Sequence, residues 1–168
     1  MIALKHVLVA TDFGEPAGIA LAYGRELART FGATLHVVHV VDDLNSRVMG
    51  LAGFPEHLTV LTRVQEDNEA TAQAELDRLL TEEDRRQLHA KSVLLVSATP
   101  AAAILDYAKD ALVDLIVAGT HGRGAVAHFF MGSVTERLVR SAACPVLAVR
   151  HPEHEFLRQD ALQTVARA

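Results

Sequence analysis

Several features that would indicate particular classes of protein are scarce or missing in this sequence. Its 168 residues include one cysteine, Cys144, so no internal disulfide can form. No apolar run approaches the ~20 residues that cross a bilayer. The formal net charge is −5, with no basic cluster, which argues against binding to nucleic acid or anionic lipid. We therefore expect a cytoplasmic protein that neither binds nucleic acid nor inserts into a membrane.

The signatures of common catalytic and metal sites are also missing. There is no G-x-x-x-x-G-K-[ST] or G-x-S-x-G motif, and no lysine lies in the glycine-rich segment 119–133. Nothing therefore predicts fast phosphoryl transfer. His36 and His39 are three apart in a predicted strand, so they point to opposite faces and cannot share a metal ion. His151 and His154 could share one only if the tail is helical. We predict no catalytic residue and no metal ligand.

What the sequence does contain is a regular alternation of apolar runs and helical patterns. Five short runs are rich in Val, Leu and Ile, at 6–10, 34–41, 91–97, 113–119 and 144–150. Three of them are nearly continuous, as in parallel strands covered on both faces. The helical patterns between them have apolar stripes that should face inward and that include Phe31, Val64 and Val139. This order predicts one α/β domain, residues 1–150, followed by a tail, 151–168, that could be helical.

Two strand ends carry residues suited to ligand chemistry. In open parallel sheets, ligands bind beyond the carboxyl ends of strands, where the strand order reverses. The first strand ends in ATDFGEP, residues 10–16, and the fourth ends in AGTHGRG, residues 118–124. Both segments face one crevice if these strands are neighbours. Asp12 could accept hydrogen bonds from a ribose or an amine, or it could cap the helix that begins near Pro16.

The segment GTHGRGAVAHFFMGS, residues 119–133, leaves two interpretations open. Its glycines let a backbone approach a ligand closely. Ser133 opens a predicted helix whose free N–H groups and dipole favour an anion, which indicates a polyphosphate site. However, Ser133 to Glu136 also reads S-x-x-E, a capping box. The segment could therefore be only a turn followed by a capped helix.

The glycine spacing, G-x2-G-x9-G-[ST], resembles the ATP-binding signature of the universal stress protein family. The match runs from Gly119 through Ser133 without a gap. The segments VLVATDFGEPAGIALAYG and GSVTERLVRSAACPVLAVR also resemble this family's first strand and helix and its last helix and strand. The resemblance covers roughly residues 3–150. It implies an open, doubly wound parallel sheet of five strands, order 3-2-1-4-5, with helices on both faces and with strands one and four adjacent.

The resemblance also implies a set of nucleotide-binding residues. Asp12 matches an aspartate near the adenosine part of the nucleotide, and Gly119 matches the ribose side. The positions implied to bind the cofactor are Ala10, Thr11, Asp12, Val40, Ala118, Gly119, Gly122, Arg123, Gly124, Gly132, Ser133, Val134 and Thr135. Two positions depart from the family pattern. Ala10 replaces the proline of the best-known ATP binders, and Gly14 replaces a frequent serine, so any contact from that hydroxyl is lost.

These observations leave three functional hypotheses. The leading one is a non-enzymatic regulatory protein of the stress response that holds ATP with Mg²⁺ and signals to a partner protein through its conformation or assembly. The resemblance further implies a homodimer that pairs through the last strand, Cys144 to Arg150. The rival is a nucleotide-free interaction module of the same fold that acts through its dimer surface. A slow ATPase or nucleotidyl transferase is the third, and the missing catalytic residues count against it.

Overall fold

The computed structural model describes residues 2–44, 46, 55–120 and 132–150. Strands and helices alternate along the chain, as the apolar runs predicted, except that two helices lie between the second and third strands. The strands are β1 (His6–Ala10), β2 (Thr34–Val41), β3 (Lys91–Val96), β4 (Leu115–Gly119) and β5 (Val146–Val149). The helices are α1 (Glu15–Phe31), α2 (Pro55–Leu79), α3 (Glu82–Gln87), α4 (Pro100–Asp110) and α5 (Ser133–Ser141).

The five strands form one parallel sheet of order β3-β2-β1-β4-β5, which confirms the predicted topology. β1 lies at the centre and pairs with both β2 and β4. In this register Ala10, the last residue of β1, lies opposite Ala118 of β4. The carboxyl ends of β1 and β4 therefore meet at one point of the sheet edge, which is where the strand order reverses.

Both faces of the sheet are covered by helices. Val7, Leu8 and Val9 in β1 are all fully buried, although successive strand residues point to opposite faces. Val7 and Val9 belong to a core with residues of α1 and α2, whereas Leu8 belongs to a second core with residues of α4 and α5. A strand buried on both faces needs apolar residues at every position, which is why its sequence does not alternate.

Three side chains that were expected inward are exposed. Phe31, Val64 and Val139 retain 40%, 42% and 48% of their accessible surface, so these predictions are wrong. Each lies at the border of the buried face of its helix, and that buried face is narrower than the apolar stripe in the sequence. In α5, for example, the buried residues are Thr135 and Leu138.

The sequence reading missed α3, and this short helix is joined to α1 by a buried ion pair. Thr81 caps α3: its hydroxyl accepts a hydrogen bond from the Asp84 N–H at 3.1 Å, and the Asp84 carboxylate accepts one from the Thr81 N–H at 2.9 Å. The same carboxylate binds the Arg25 guanidinium, with Nε 3.1 Å from each oxygen. Arg25 also donates to the Leu79 carbonyl at the end of α2. One arginine thus joins α1, α2 and α3.

We predict that Asp84→Ala strongly destabilises the fold. The substitution removes the carboxylate half of the capping box and leaves the Arg25 charge buried without its partner, and breaking a buried pair in this way typically costs ~3–5 kcal/mol. The exposed pair of Glu26 with Arg29 provides the control, because Glu26→Ala should change the free energy of unfolding by less than ~1 kcal/mol. Urea unfolding measures both. Equal effects of the two substitutions would contradict a stabilising role for the buried pair of Arg25 with Asp84.

A chain of hydrogen-bonded polar side chains crosses the second core. His36 of β2 is 2% exposed. One of its ring nitrogens lies 3.2 Å from His6 Nδ1, and the other lies 2.7 Å from the Tyr107 hydroxyl of α4. Burial, followed by the charges of Lys91 and His6, lowers the pKa of His36 from 6.5 to about 4. His36 is therefore neutral in the folded protein at neutral pH.

We predict that His36 makes the fold sensitive to mild acid. Between pH 6.5 and about 4 the unfolded chain protonates this imidazole while the folded chain does not, so the free energy of unfolding falls as the pH falls through that window. The loss should be on the order of 2–3 kcal/mol. His36→Gln should flatten this part of the pH profile, and the exposed His89→Asn should not. Denaturant unfolding across pH 4–7 tests the prediction, which fails if the profiles of His36→Gln and the wild type are parallel.

Candidate functional site

The candidate site is the crevice beyond the carboxyl ends of β1 and β4. Three predicted positions, Ala10, Val40 and Ala118, lie at this edge. Ala118 belongs to the core shared with α4 and α5, and Ala10 and Val40 pack against that core. Val134 of α5 packs against the same core. The structure thus brings an apolar wall, drawn from three strands and one helix, to the point where the turn after β1 and the turn after β4 leave the sheet.

The turn after β1, residues 11–14, carries Asp12. Its backbone is folded by local hydrogen bonds: the Phe13 N–H donates to the Thr11 hydroxyl at 3.0 Å, and the Gly14 N–H donates to Asp12 Oδ1 at 3.0 Å. The N-cap of α1 is Gly14, two residues after Asp12. Asp12 is therefore not the N-cap residue of α1, and the capping alternative is wrong. Its carboxylate stays beside the crevice at the end of β1.

Gly119 has a packing role that the sequence did not indicate. A Cβ atom at this position would lie 2.9 Å from the carbonyl carbon of Pro16 and 3.0 Å from its oxygen. Only glycine lets the end of β4 pass this close to the first turn of α1, because backbone atoms cannot move aside as a flexible side chain can. The close contact draws the N-terminus of α1 against the end of β4, beside the crevice.

The two ends of the glycine-rich segment lie together. The Gly132 N–H donates to the Thr120 carbonyl at 2.6 Å, and the Thr135 hydroxyl donates to the Gly119 carbonyl at 2.6 Å. These bonds hold the N-terminus of α5 at the carboxyl end of β4. The positions Gly122, Arg123 and Gly124 lie outside the described residues.

Among the described residues, no side chain caps the N-terminus of α5. Its N-cap is Gly132, and the first intrahelical bond runs from the Glu136 N–H to the Gly132 carbonyl at 2.9 Å. Ser133 is already inside the helix, so the predicted capping box does not form. Within the described part of the chain the Ser133 N–H has no acceptor. A helix start with free N–H groups and the positive end of its dipole favours an anion.

Two residues at the site were missed as functional candidates. His39 lies near the end of β2, and its Nδ1 is 2.8 Å from the Thr11 carbonyl oxygen. The Phe13 ring packs against the His39 ring, with 4.3 Å between centroids. The predicted divergence of His36 and His39 is confirmed, since they contact opposite layers. The sequence signal that could have identified His39 was a polar residue near the carboxyl end of a predicted strand.

A cleft of about 300 Å³ lies on the other side of this turn, between β2 and α2. The Phe13 and His39 rings form part of its wall, and Asp42 and Glu75 contribute carboxylates. No group of three metal-ligating side chains occurs in the described ranges. Likewise, none of the helices in those ranges is long and apolar enough to cross a membrane.

Comparison with known proteins agrees with this architecture. The model of the universal stress protein family matches residues 3–150. A universal stress protein of Thermus aquaticus is 36% identical over 146 residues, which cover 87% of this chain and 98% of that protein. The structure of the universal stress protein UspA from Lactobacillus plantarum is similar with a TM-score of 0.74, at 25% identity, and the match covers 89% of this chain and all of that one.

A universal stress protein from Archaeoglobus fulgidus, solved in complex with dAMP, shares the fold with a TM-score of 0.52 at 22% identity, over 89% of this chain and 99% of that one. The nucleotide is a property of that protein. For the present chain, the family match spans the whole sheet and both segments that border the crevice. The chain belongs to the universal stress protein family.

Proposed function

We propose that this protein binds ATP with Mg²⁺ in the crevice between β1 and β4 and acts as a nucleotide-dependent regulator of the stress response. The observation that carries the proposal is the N-terminus of α5, where the Ser133 N–H has no acceptor among the described residues. Hydrogen bonds hold this helix start against the end of β4, the strand paired with the one that leads into the Asp12 turn. The helix start that we assign to the phosphates and the carboxylate that we assign to the nucleoside thus follow the ends of two paired strands.

The residues around the crevice fit the two halves of a nucleotide. The Ser133 N–H and the α5 dipole suit phosphate oxygens, and Arg123 in the glycine-rich segment would add a positive charge. On the other side, the partly buried Ala10 and Val40 offer an apolar surface for a base, and the buried Ala118 lies in the core behind them. Asp12 and Thr11 offer acceptors for ribose hydroxyls. Mg²⁺ would be held chiefly by the phosphates, as is usual for this ion.

We propose a regulatory rather than a catalytic role because the sequence offers these phosphates backbone donors and one arginine. Such groups hold the ground state and the transition state about equally, and uniform binding does not raise kcat. The bound nucleotide would add negative charge and volume at the crevice, beside the start of α5. A partner protein or a second copy of the chain would then recognise the nucleotide-bound form.

A pair of substitutions at Ser133 tests the phosphate site. Proline is tolerated in the first helical position, and Gly132, with φ −58° and ψ 144°, already has the extended conformation that precedes proline. Ser133→Pro removes the free N–H together with the hydroxyl, whereas Ser133→Ala removes the hydroxyl alone. A hydrogen bond to a charged group is worth ~1.5–3 kcal/mol. Relative to Ser133→Ala, the proline variant should therefore bind ATP roughly 10- to 100-fold more weakly.

Calorimetric titration with ATP and Mg²⁺ measures the three affinities, and melting curves confirm that each variant is folded. Because Ser133 is not the N-cap residue, Ser133→Ala should leave the melting temperature almost unchanged. Equal ATP affinity for folded Ser133→Pro and Ser133→Ala would overturn the assignment of α5 as the phosphate site.

We further propose that two copies pair through the edge of β5, within the segment Cys144 to Arg150. β5 is shorter than the sequence predicted and is paired with β4 on one side. Unpaired apolar edges promote association, whereas charged residues protect an edge. β5 contains only Val, Leu and Ala, whereas the opposite edge strand begins with an exposed lysine, Lys91.

Sedimentation of matched edge variants tests the dimer. Ala148→Glu places like charges against each other where two β5 strands would pair, so it should convert a dimer to a monomer at tens of micromolar protein. Val96→Glu introduces the same charge at the end of β3, on the opposite edge, and should leave the dimer intact. A monomeric wild type, or dissociation by both variants alike, would contradict pairing through β5.

A further inference from the structure

The turn that carries Asp12 has an unfavourable backbone conformation. Phe13 has φ of +62°, in the left-handed region that residues with a Cβ rarely adopt. Such a conformation persists only where surrounding contacts hold it. The Phe13 N–H and the Gly14 N–H each donate to a side chain two residues earlier, so both of these hydrogen bonds lie within the turn. β2 makes further contacts that anchor the turn to the sheet.

β2 binds both polar groups of the Thr11 backbone. The Thr11 N–H donates to the Val38 carbonyl at 2.9 Å, which extends the sheet ladder by one residue. The Thr11 carbonyl lies 2.8 Å from His39 Nδ1. A carbonyl oxygen can only accept, so Nδ1 carries the proton and donates it. This contact is made by a side chain, and substitution can therefore remove it without breaking the ladder.

The same imidazole also contacts the far end of the turn. The rings of His39 and Phe13 lie 4.3 Å apart at an interplanar angle of 38°. His39 therefore touches the residue before Asp12 and the residue after it. The first contact fixes the Thr11 carbonyl, and the second supports Phe13 in its left-handed conformation. Asp12 lies between these two contacts.

We infer that His39 is a positioning residue of the nucleotide site: it holds the turn of residues 11–14 and so places Asp12 for the nucleoside part of the ligand. This inference rests on the proposed nucleotide function, and it adds a residue that does not itself touch the nucleotide. It distinguishes two parts of the site. The nucleoside part depends on the β2 side chain, whereas the phosphate part depends on α5 and the end of β4.

Two substitutions separate the donated hydrogen bond from the bulk of the ring. His39→Ala removes both contacts. His39→Asn retains a donor, because its amide nitrogen is as many bonds from Cα as Nδ1 is. Val41→Ala is the packing control, since Val41 is the next residue on the same face of β2 and borders the same cleft. The probes are ATP and inorganic tripolyphosphate, which has the phosphates but no nucleoside.

His39→Ala should weaken ATP binding about tenfold, as expected for a lost neutral hydrogen bond near the top of its usual range. Tripolyphosphate binding should change less than about twofold, because the α5 site is untouched. His39→Asn should recover most of the ATP affinity. Val41→Ala should lower stability and leave the ratio of the two affinities unchanged. Calorimetry gives the affinities, and thermal melting gives the stabilities.

Hydrogen exchange of the free protein gives a second readout that needs no ligand. The Phe13 and Gly14 amides, which bond within the turn, should exchange faster in His39→Ala and not in Val41→Ala. Unchanged exchange and unchanged ATP affinity in His39→Ala would overturn the positioning role. So would equal losses of ATP and tripolyphosphate affinity, because they would mean general damage to the site.

The two proposals can fail separately. If the wild type binds neither ATP nor tripolyphosphate, the proposed nucleotide function fails, and amide exchange alone decides whether His39 holds the turn. If the wild type binds ATP and His39→Ala binds it equally well, the nucleotide function stands and the positioning role is wrong.

Discussion

The parallel pairing of β1 with β4 is the interaction on which the rest of the site depends. It places Ala10 opposite Ala118, so that the chain leaves both strands at one point of the sheet edge. The turn with Asp12 and the start of α5 are 121 residues apart in sequence, counted from Asp12 to Ser133, and this pairing brings them to one crevice. The pairing in turn depends on burial of the central strands, since Val7, Leu8 and Val9 lose all their accessible surface to the two helical layers.

Contacts around this strand pair fix the helices of both layers to the end of β4. Gly119 lets β4 pass Pro16 without a clash, and Thr135 ties α5 to the Gly119 carbonyl. One strand end is thus packed against α1 on one side and hydrogen-bonded to α5 on the other. A helix start held in this way needs little rearrangement, which would reduce the ordering cost of the anion binding that we propose.

Much of the fold could be predicted because it depends on local patterns. Continuous apolar runs indicated strands buried on both faces, and the alternation of runs and helical patterns indicated a parallel sheet. The site positions followed from the glycine spacing and from the family resemblance. The pairing of Arg25 with Asp84 did not follow, because the two are 59 residues apart and nothing local marks an arginine for burial. The capping box of Thr81 and Asp84 has a recognisable sequence pattern. The pattern at Ser133 was also recognisable, but the capping box does not form, because Gly132 is the N-cap residue.

The sequence by itself determined the order of the five strands and of the helices other than α3, the buried faces of β1 and the glycine spacing of residues 119–133, since each depends on residue type and separation along the chain. Only the tertiary structure decided what those residues contact. It put Gly119 against Pro16, left the Ser133 N–H open within the described part of the chain, and brought His39 to the Thr11 carbonyl. These features depend on elements that are distant in sequence, and their geometry is fixed by packing of the whole sheet rather than by any local preference.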